Sequence, residues 1–155
     1  MRAVPWEPCL GLIHEFEKGP EGTFSATPYR DPAGHWTNGW GHRCSQGAPP
    51  ITAEQADQQA RIDLSAAANG VCTVLGDPLV EMLTEGQYAA LIDFTFNEGM
   101  GRFAGSTLAH YIKVGAMHLV PGEFRRWIYS HVNGVATVEQ GLVRRRNTEI
   151  AVWLA

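Results

Sequence analysis

The sequence predicts an α+β fold in one domain over residues 1–155. It divides into a small β-hairpin lobe at about residues 20–50 and a mainly helical lobe at about 52–155, which also takes in the N-terminal helix. Three observations predict this. Between Gly19 and Pro50, six glycines and five prolines alternate with aromatic residues, the texture of turns and short strands. From Thr52 onward, apolar residues return at three- and four-residue intervals, the period of helices. A chain of 155 residues with 45% hydrophobic and 18% charged side chains can build one core, which excludes a disordered or fibrous protein. A crevice where two such lobes meet is the default place for a site.

The elements follow in order. Leu10, Ile13 and Phe16 share one face of a helix over Cys9–Phe16, which Gly19 and Pro20 end. Residues 24–43 read as a small hairpin region around the turn Pro32-Ala33-Gly34. Thr52 caps a helix over 53–69, with Ala53, Ala56, Ala60, Leu64 and Ala67 on one stripe. Thr84-Glu85-Gly86-Gln87 has the pattern of a capping box. It opens a central helix in which Tyr88, Leu91, Ile92, Thr95 and Phe96 form one face and Ala89, Ala90 and Phe94 the other. Ser106 caps a short helix to Lys113. A further helix fits Pro121–His131, with Phe124, Trp127 and Ile128 inward. Thr137-Val138-Glu139-Gln140 reads as a second capping box opening a terminal helix with Leu142, Ile150, Val152 and Trp153.

Charge and cysteine content narrow the function classes. With 12 Lys+Arg against 16 Asp+Glu the net charge is −4, so no nucleic-acid partner is expected. Residues 1–100 carry 5 basic and 13 acidic side chains, net −8, and residues 101–155 carry 7 and 3, net +4. Cys9, Cys44 and Cys72 form no CxxC pair, so neither a zinc site nor a disulfide framework is expected, although a Cys44–Cys72 bridge stays open. His14-Glu15 begins an H-E-x-x-H pattern that Lys18 breaks, so no metal is expected. No segment reads as an export signal or a membrane span.

The chemistry concentrates in two stretches. Glu17 ends the first helix, and Asp31 sits on the hairpin with the Thr37 hydroxyl six residues further on. Two carboxylates from different elements can face each other across a cleft, one kept protonated by an apolar wall and the other ionised in a wetter place. That pair is the minimum equipment for cleaving a glycosidic bond.

The stretch Tyr29-Arg30-Asp31-Pro32-Ala33-Gly34-His35-Trp36-Thr37-Asn38-Gly39-Trp40-Gly41-His42 resembles the signature Y-x-(D/C)-x-x-G-x-x-T-x-G-x-G-H of the phage-type lysozymes, glycoside hydrolase family 24. Asp93-Phe94-Thr95-Phe96-Asn97-Glu98-Gly99 is similar to that family's F-N-x-G helix end. Phe103-Ala104-Gly105-Ser106-Thr107-Leu108 matches its F-x-x-S-T-L block, and Gly141–Glu149 its G-L-x-x-R-R-x-x-E block. The four blocks keep the family's order.

The resemblance implies a lysozyme-like fold with the active-site cleft between the lobes. It implies a cofactor-free, bacteriolytic muramidase that cuts the β-1,4 bond between N-acetylmuramic acid and N-acetylglucosamine in peptidoglycan strands. Glu17 would be the general acid, Asp31 would orient or deprotonate the attacking water, and Thr37 would hold that water. Tyr29, Gly39, Trp40 and Asn97 would bind substrate. His42 would tie the hairpin down, and Arg146 would pair with Glu17 or with Glu149. A monomer is expected, waiting in the host cytoplasm until it is released to the wall.

Two features depart from the pattern. Thirteen residues separate Glu17 from Asp31, more than the family's usual spacing, which reads as a loop insertion over Gly19–Phe24 and makes Glu21 a rival acid. Asn38 stands where the family usually has Ile. The rival functions are a non-catalytic wall-binding virion component and a lytic transglycosylase on the same polymer.

Overall fold

A computed structural model describes residues 1–155. Helix α1 (Trp6–Phe16) leads into a three-stranded antiparallel sheet, β1 (Ser25–Arg30), β2 (Trp36–Gly39) and β3 (His42–Arg43), in the order β1-β2-β3. The helical lobe follows as α2 (Ala53–Leu75), α3 (Asp77–Glu81), α4 (Glu85–Glu98), α5 (Met100–Ala104), α6 (Thr107–Lys113), a 3-10 turn (Met117–Leu119) and α7 (Val120–Phe124). A separate hairpin, β4 (Tyr129–Val132) and β5 (Val135–Val138), precedes the terminal helix α8 (Gln140–Leu154).

The caps form as their chemistry requires. Thr52 Oγ1 accepts from the Gln55 backbone N–H at 3.2 Å, and Gln55 Oε1 accepts from the Thr52 N–H at 2.9 Å. Thr84 and Gln87 repeat the exchange at 3.1 and 2.9 Å, and Ser106 accepts from the Ala109 N–H at 3.0 Å. Helix α4 is the axis of the core: every residue from Tyr88 to Thr95 is buried. Phe103, Phe124 and Trp127 meet the Phe94 ring edge-on at centroid distances of 6.2, 5.6 and 5.3 Å. Asp93 and Asn97 are thereby held on the helix that forms the axis of the core.

Four expectations are corrected. Helix α2 continues to Leu75 rather than stopping at 69, because Gly70 is used for close packing, with its Cβ position 3.3 Å from Thr95 and Met100 atoms. The stripe on α2 starts at Ala56, as Ala53 is exposed. The expected helix over Pro121–His131 ends at Phe124, and Tyr129–Val138 form a hairpin instead. Asn133 and Gly134 occupy positive φ (50° and 77°), the two-residue turn that matches strand twist. Thr137 consequently lies in β5 opposite Ser130 and caps nothing; α8 starts after Glu139 with no side-chain cap.

The three cysteines are free thiols. No helix is long and apolar enough to cross a membrane.

Candidate active site

Between the lobes runs a cleft of about 560 Å³, lined by Glu17, Asp31, His42, Arg43, Asp63 and Asn97 among others. A second groove of about 520 Å³ continues past Glu17 towards the start of α8; Glu17 and Asn97 line both. Glu17 therefore stands where the two halves meet.

Local backbone puts it there. Glu17 closes α1, its N–H donating to the Ile13 carbonyl at 2.8 Å. Gly41, at φ +73°, passes so close that a Cβ on it would lie 2.5 Å from Glu17 Oε2. Only glycine combines this backbone with this approach. On the other side Arg145 Nη1 donates to Glu17 Oε1 at 2.5 Å. Arg145 is itself gripped by the fully buried Asp93, Nε and Nη2 each donating to a separate carboxylate oxygen at 2.9 Å. The chain Glu17–Arg145–Asp93 fixes the glutamate from the core outward. Burial pushes the Glu17 carboxyl above its ordinary range. Arg145 opposes that shift, and the carboxylates of Asp93 and Asp31 reinforce it.

Asp31 sits at the hairpin turn. Its Oδ1 accepts from the His35 backbone N–H at 2.8 Å, and the turn closes through Gly34 at φ +87°. Tyr29 lies beside both carboxylates; burial, then Glu17, then Asp31 raise its phenol. His42 Nδ1 is 2.8 Å from Asp63 Oδ2, tying β3 to α2 on the cleft wall.

Other candidates lie elsewhere. Thr37 is buried and its hydroxyl donates to the His35 carbonyl at 3.1 Å, away from the lining of either groove. Gly39, at φ +57°, brings the sheet against α2, where a Cβ would lie 2.6 Å from Gln59 Oε1. Trp40 stacks on His14 with ring centroids 4.3 Å apart, and its Nε1–H donates to Asp57 Oδ1 at 2.9 Å. Gly39 and Trp40 thus fasten the hairpin to α2. Glu21 is exposed on the turn after α1 and borders a different depression, with Phe24 and Thr27.

Of the two pairings open to Arg146, the one with Glu149 forms; the one with Glu17 is corrected by one residue, since the partner of Glu17 is Arg145. Successive helical side chains diverge by about 100°, so Arg145 faces α1 while Arg146 faces the end of α4. There Arg146 Nη2 donates to Asn97 Oδ1 at 2.6 Å and to Glu149 Oε1 at 2.9 Å. Glu149 is fully buried, and desolvation followed by the Asp93 charge holds its carboxyl well above the ordinary range. Burial works against ionised Asp93, but Arg145, the Glu149 hydrogen bond and Arg146 together outweigh it and keep Asp93 below its usual value.

A helical lobe and a small antiparallel sheet, with carboxylates from both meeting in the groove between them, define a lysozyme-like fold. The chain belongs to the phage lysozyme family, whose model matches residues 18–149. It is 36% identical over 146 residues to an endolysin of Bacillus phage PZA, covering 93% of this chain and 52% of that protein. It is also 36% identical over 126 residues to an endolysin of Acyrthosiphon pisum secondary endosymbiont phage 1, covering 81% and 84% respectively. The chain thus spans about half the length of its Bacillus phage relative. Among solved structures, the muramidase domain of SpmX from Asticaccaulis excentricus superposes with a TM-score of 0.85 at 27% identity, covering 100% of this chain and 99% of that one. The endolysin from Escherichia coli O157:H7 phage FAHEc1 gives 0.83 at 25% identity, covering 99% and 94%.

Proposed function

We propose that the protein is a peptidoglycan hydrolase of the muramidase type, cleaving the β-1,4 bond between N-acetylmuramic acid and N-acetylglucosamine. The observation that carries the reading is Glu17: a carboxyl with a raised pKa, clamped by Arg145 at the midpoint of a continuous groove that Asp31 also lines. Glu17 gives its proton to the bridging oxygen as the bond to the sugar carbon breaks. Water adds to that carbon, and Asp31 orients the water, takes its proton and offsets positive charge on the ring. Gly41 and Arg145 hold Glu17 in place; the hairpin ties at Gly39, Trp40 and His42 hold the strands that carry Asp31.

The names of the relatives support the same substrate class. An intact carboxylate pair speaks against a purely adhesive role. The reading extends to a monomer acting on glycan strands after release from the host cytoplasm.

The test is the loss of turbidity of isolated peptidoglycan under wild type, Glu17→Gln, Glu21→Gln and Asp31→Asn. Glu17→Gln is expected to cost at least about a hundredfold, with Glu21→Gln unchanged. Full activity in Glu17→Gln would reject the acid assignment, and an inert wild type on several wall types would favour adhesion.

A further inference from the structure

Asn97, on the last turn of α4, is the other side chain that lines both grooves. Its amide oxygen is already taken, accepting from Arg146 Nη2 at 2.6 Å. Arg146 is fully buried and pinned in turn. Its Nη2 also donates to Glu149 Oε1 at 2.9 Å, its Nε lies 2.8 Å from Glu149 Oε2, and its Nη1 donates to Glu98 Oε1 at 3.4 Å.

A guanidinium carries donors only. Turned round, the Asn97 amide would set its NH2 against an N–H of Arg146, so the oxygen is locked inward and the NH2 points away from it. No protein acceptor takes the two NH2 hydrogens, which are left for whatever occupies the cleft beside Glu17.

We infer that Asn97 is a specificity-determining donor for a carbonyl oxygen on the sugar at the cleavage point, and that Arg146 is the positioning residue that makes it one. The inference rests on the muramidase reading. Hydroxyls both donate and accept, so an amide free to turn would serve them equally well. A fixed donor selects an acceptor, and on an N-acetylhexosamine polymer that acceptor is the acetamido carbonyl. A de-N-acetylated sugar offers an ammonium group there, which also only donates. The site therefore discriminates between N-acetylated and de-N-acetylated strands.

The experiment compares kcat/KM on N-acetylated and chemically de-N-acetylated glycan strands. Asn97→Asp keeps an oxygen on Arg146 and puts a second oxygen where the NH2 was. It is expected to keep its Tm and to lose about tenfold or more of the preference for acetylated strands. Arg146→Gln is expected to lower the same preference, with no further loss when combined with Asn97→Ala, because it acts through Asn97. A merely structural Arg146 would slow both polymers alike and leave the ratio unmoved.

A readout free of turnover is the side-chain amide resonance of Asn97 in 15N-labelled wild type. It is expected to shift on adding tri-N-acetylchitotriose and not on adding the glucosamine trimer. An unchanged ratio in folded Asn97→Asp, or an amide signal that neither trimer moves, overturns the inference. A wild type inert on both polymers whose Asn97 amide answers the acetylated trimer refutes the muramidase reading and upholds the donor.

Discussion

Replacing Arg145 by Gln removes three hydrogen bonds at once, two to Asp93 at 2.9 Å and one to Glu17 at 2.5 Å. Asp93 is 0% exposed and the Arg145 side chain 5% exposed, so an anion is left buried without its partner. Loss of one member of a buried pair costs about 3–5 kcal/mol, against a total stability of about 5–15 kcal/mol for a domain. The variant is expected to fold with a clearly lower urea midpoint. Its pH–rate profile carries the mechanistic information. If Glu17 is the proposed general acid, activity needs it protonated and the alkaline limb follows it. Arg145 lowers the Glu17 pKa and Asp93 raises it. Arg145→Gln should move the limb to higher pH, and Asp93→Asn, which removes an anion, should move it to lower pH. Destabilisation alone would not send two variants of one ion pair in opposite directions. Limbs that stay put, or move the same way, would refute Glu17 as the group that Arg145 tunes.

Other outcomes follow from the same geometry. Gly41→Ala forces a Cβ to within 2.5 Å of the Glu17 carboxylate from a φ of +73°; displacing the acid by about 1 Å should cost about a hundredfold in kcat/KM, and activity within twofold of wild type would contradict it. Glu149→Gln should be tolerated where Glu149→Ala is not, since the amide keeps acceptor and donor beside Arg146 and Asp93 and the alanine leaves buried polar atoms unpaired. Because the folded Glu149 pKa is raised, its linked stability is present at low pH and is lost as pH climbs from the ordinary glutamate value towards the raised one. Glu149→Gln should flatten that slope in urea titrations, and an unchanged slope would remove Glu149 as its source. Trp40→Phe should lower Tm and leave KM unchanged, because the lost bond is to Asp57; a raised KM at constant Tm would restore Trp40 to the sugar-binding surface.

The helical frame could be read from the residues because capping and periodicity are local. Thr84 with Gln87, Thr52 and Ser106 each mark a start that the structure keeps. The hairpin over Tyr129–Val138 escaped because Phe124, Trp127 and Ile128 mimic one helical turn. The corrective signal was present in Asn133-Gly134, within an uncharged, valine-rich run.

Glu17 and Asp31, both picked out from the sequence, line the cleft; what fixes them there was not legible. Arg145 and Arg146 are neighbours in a run of three arginines, and only helix phase separates them. Positions 142, 145, 146, 149, 150 and 153 form one helical stripe, and charged residues on an otherwise core-facing stripe mark a buried ion network. Asp93, the one carboxylate in the buried stretch Tyr88–Thr95 of α4, carried the same message. Trp40 read as a sugar contact because aromatics also line carbohydrate sites, and Gly39 because the family resemblance implied it. Their packing on α2 depends on a partner element fourteen or more residues away, which no local pattern reveals.

The most direct measurement is digestion of purified peptidoglycan in 18O-labelled water, with the released saccharides weighed by mass spectrometry for wild type and Glu17→Gln. Hydrolysis driven by Glu17 is expected to give muramic acid reducing ends carrying one 18O per cleaved bond in wild type, and almost none from Glu17→Gln. Anhydro ends without 18O, or labelled ends released by Glu17→Gln at the wild-type rate, would contradict it.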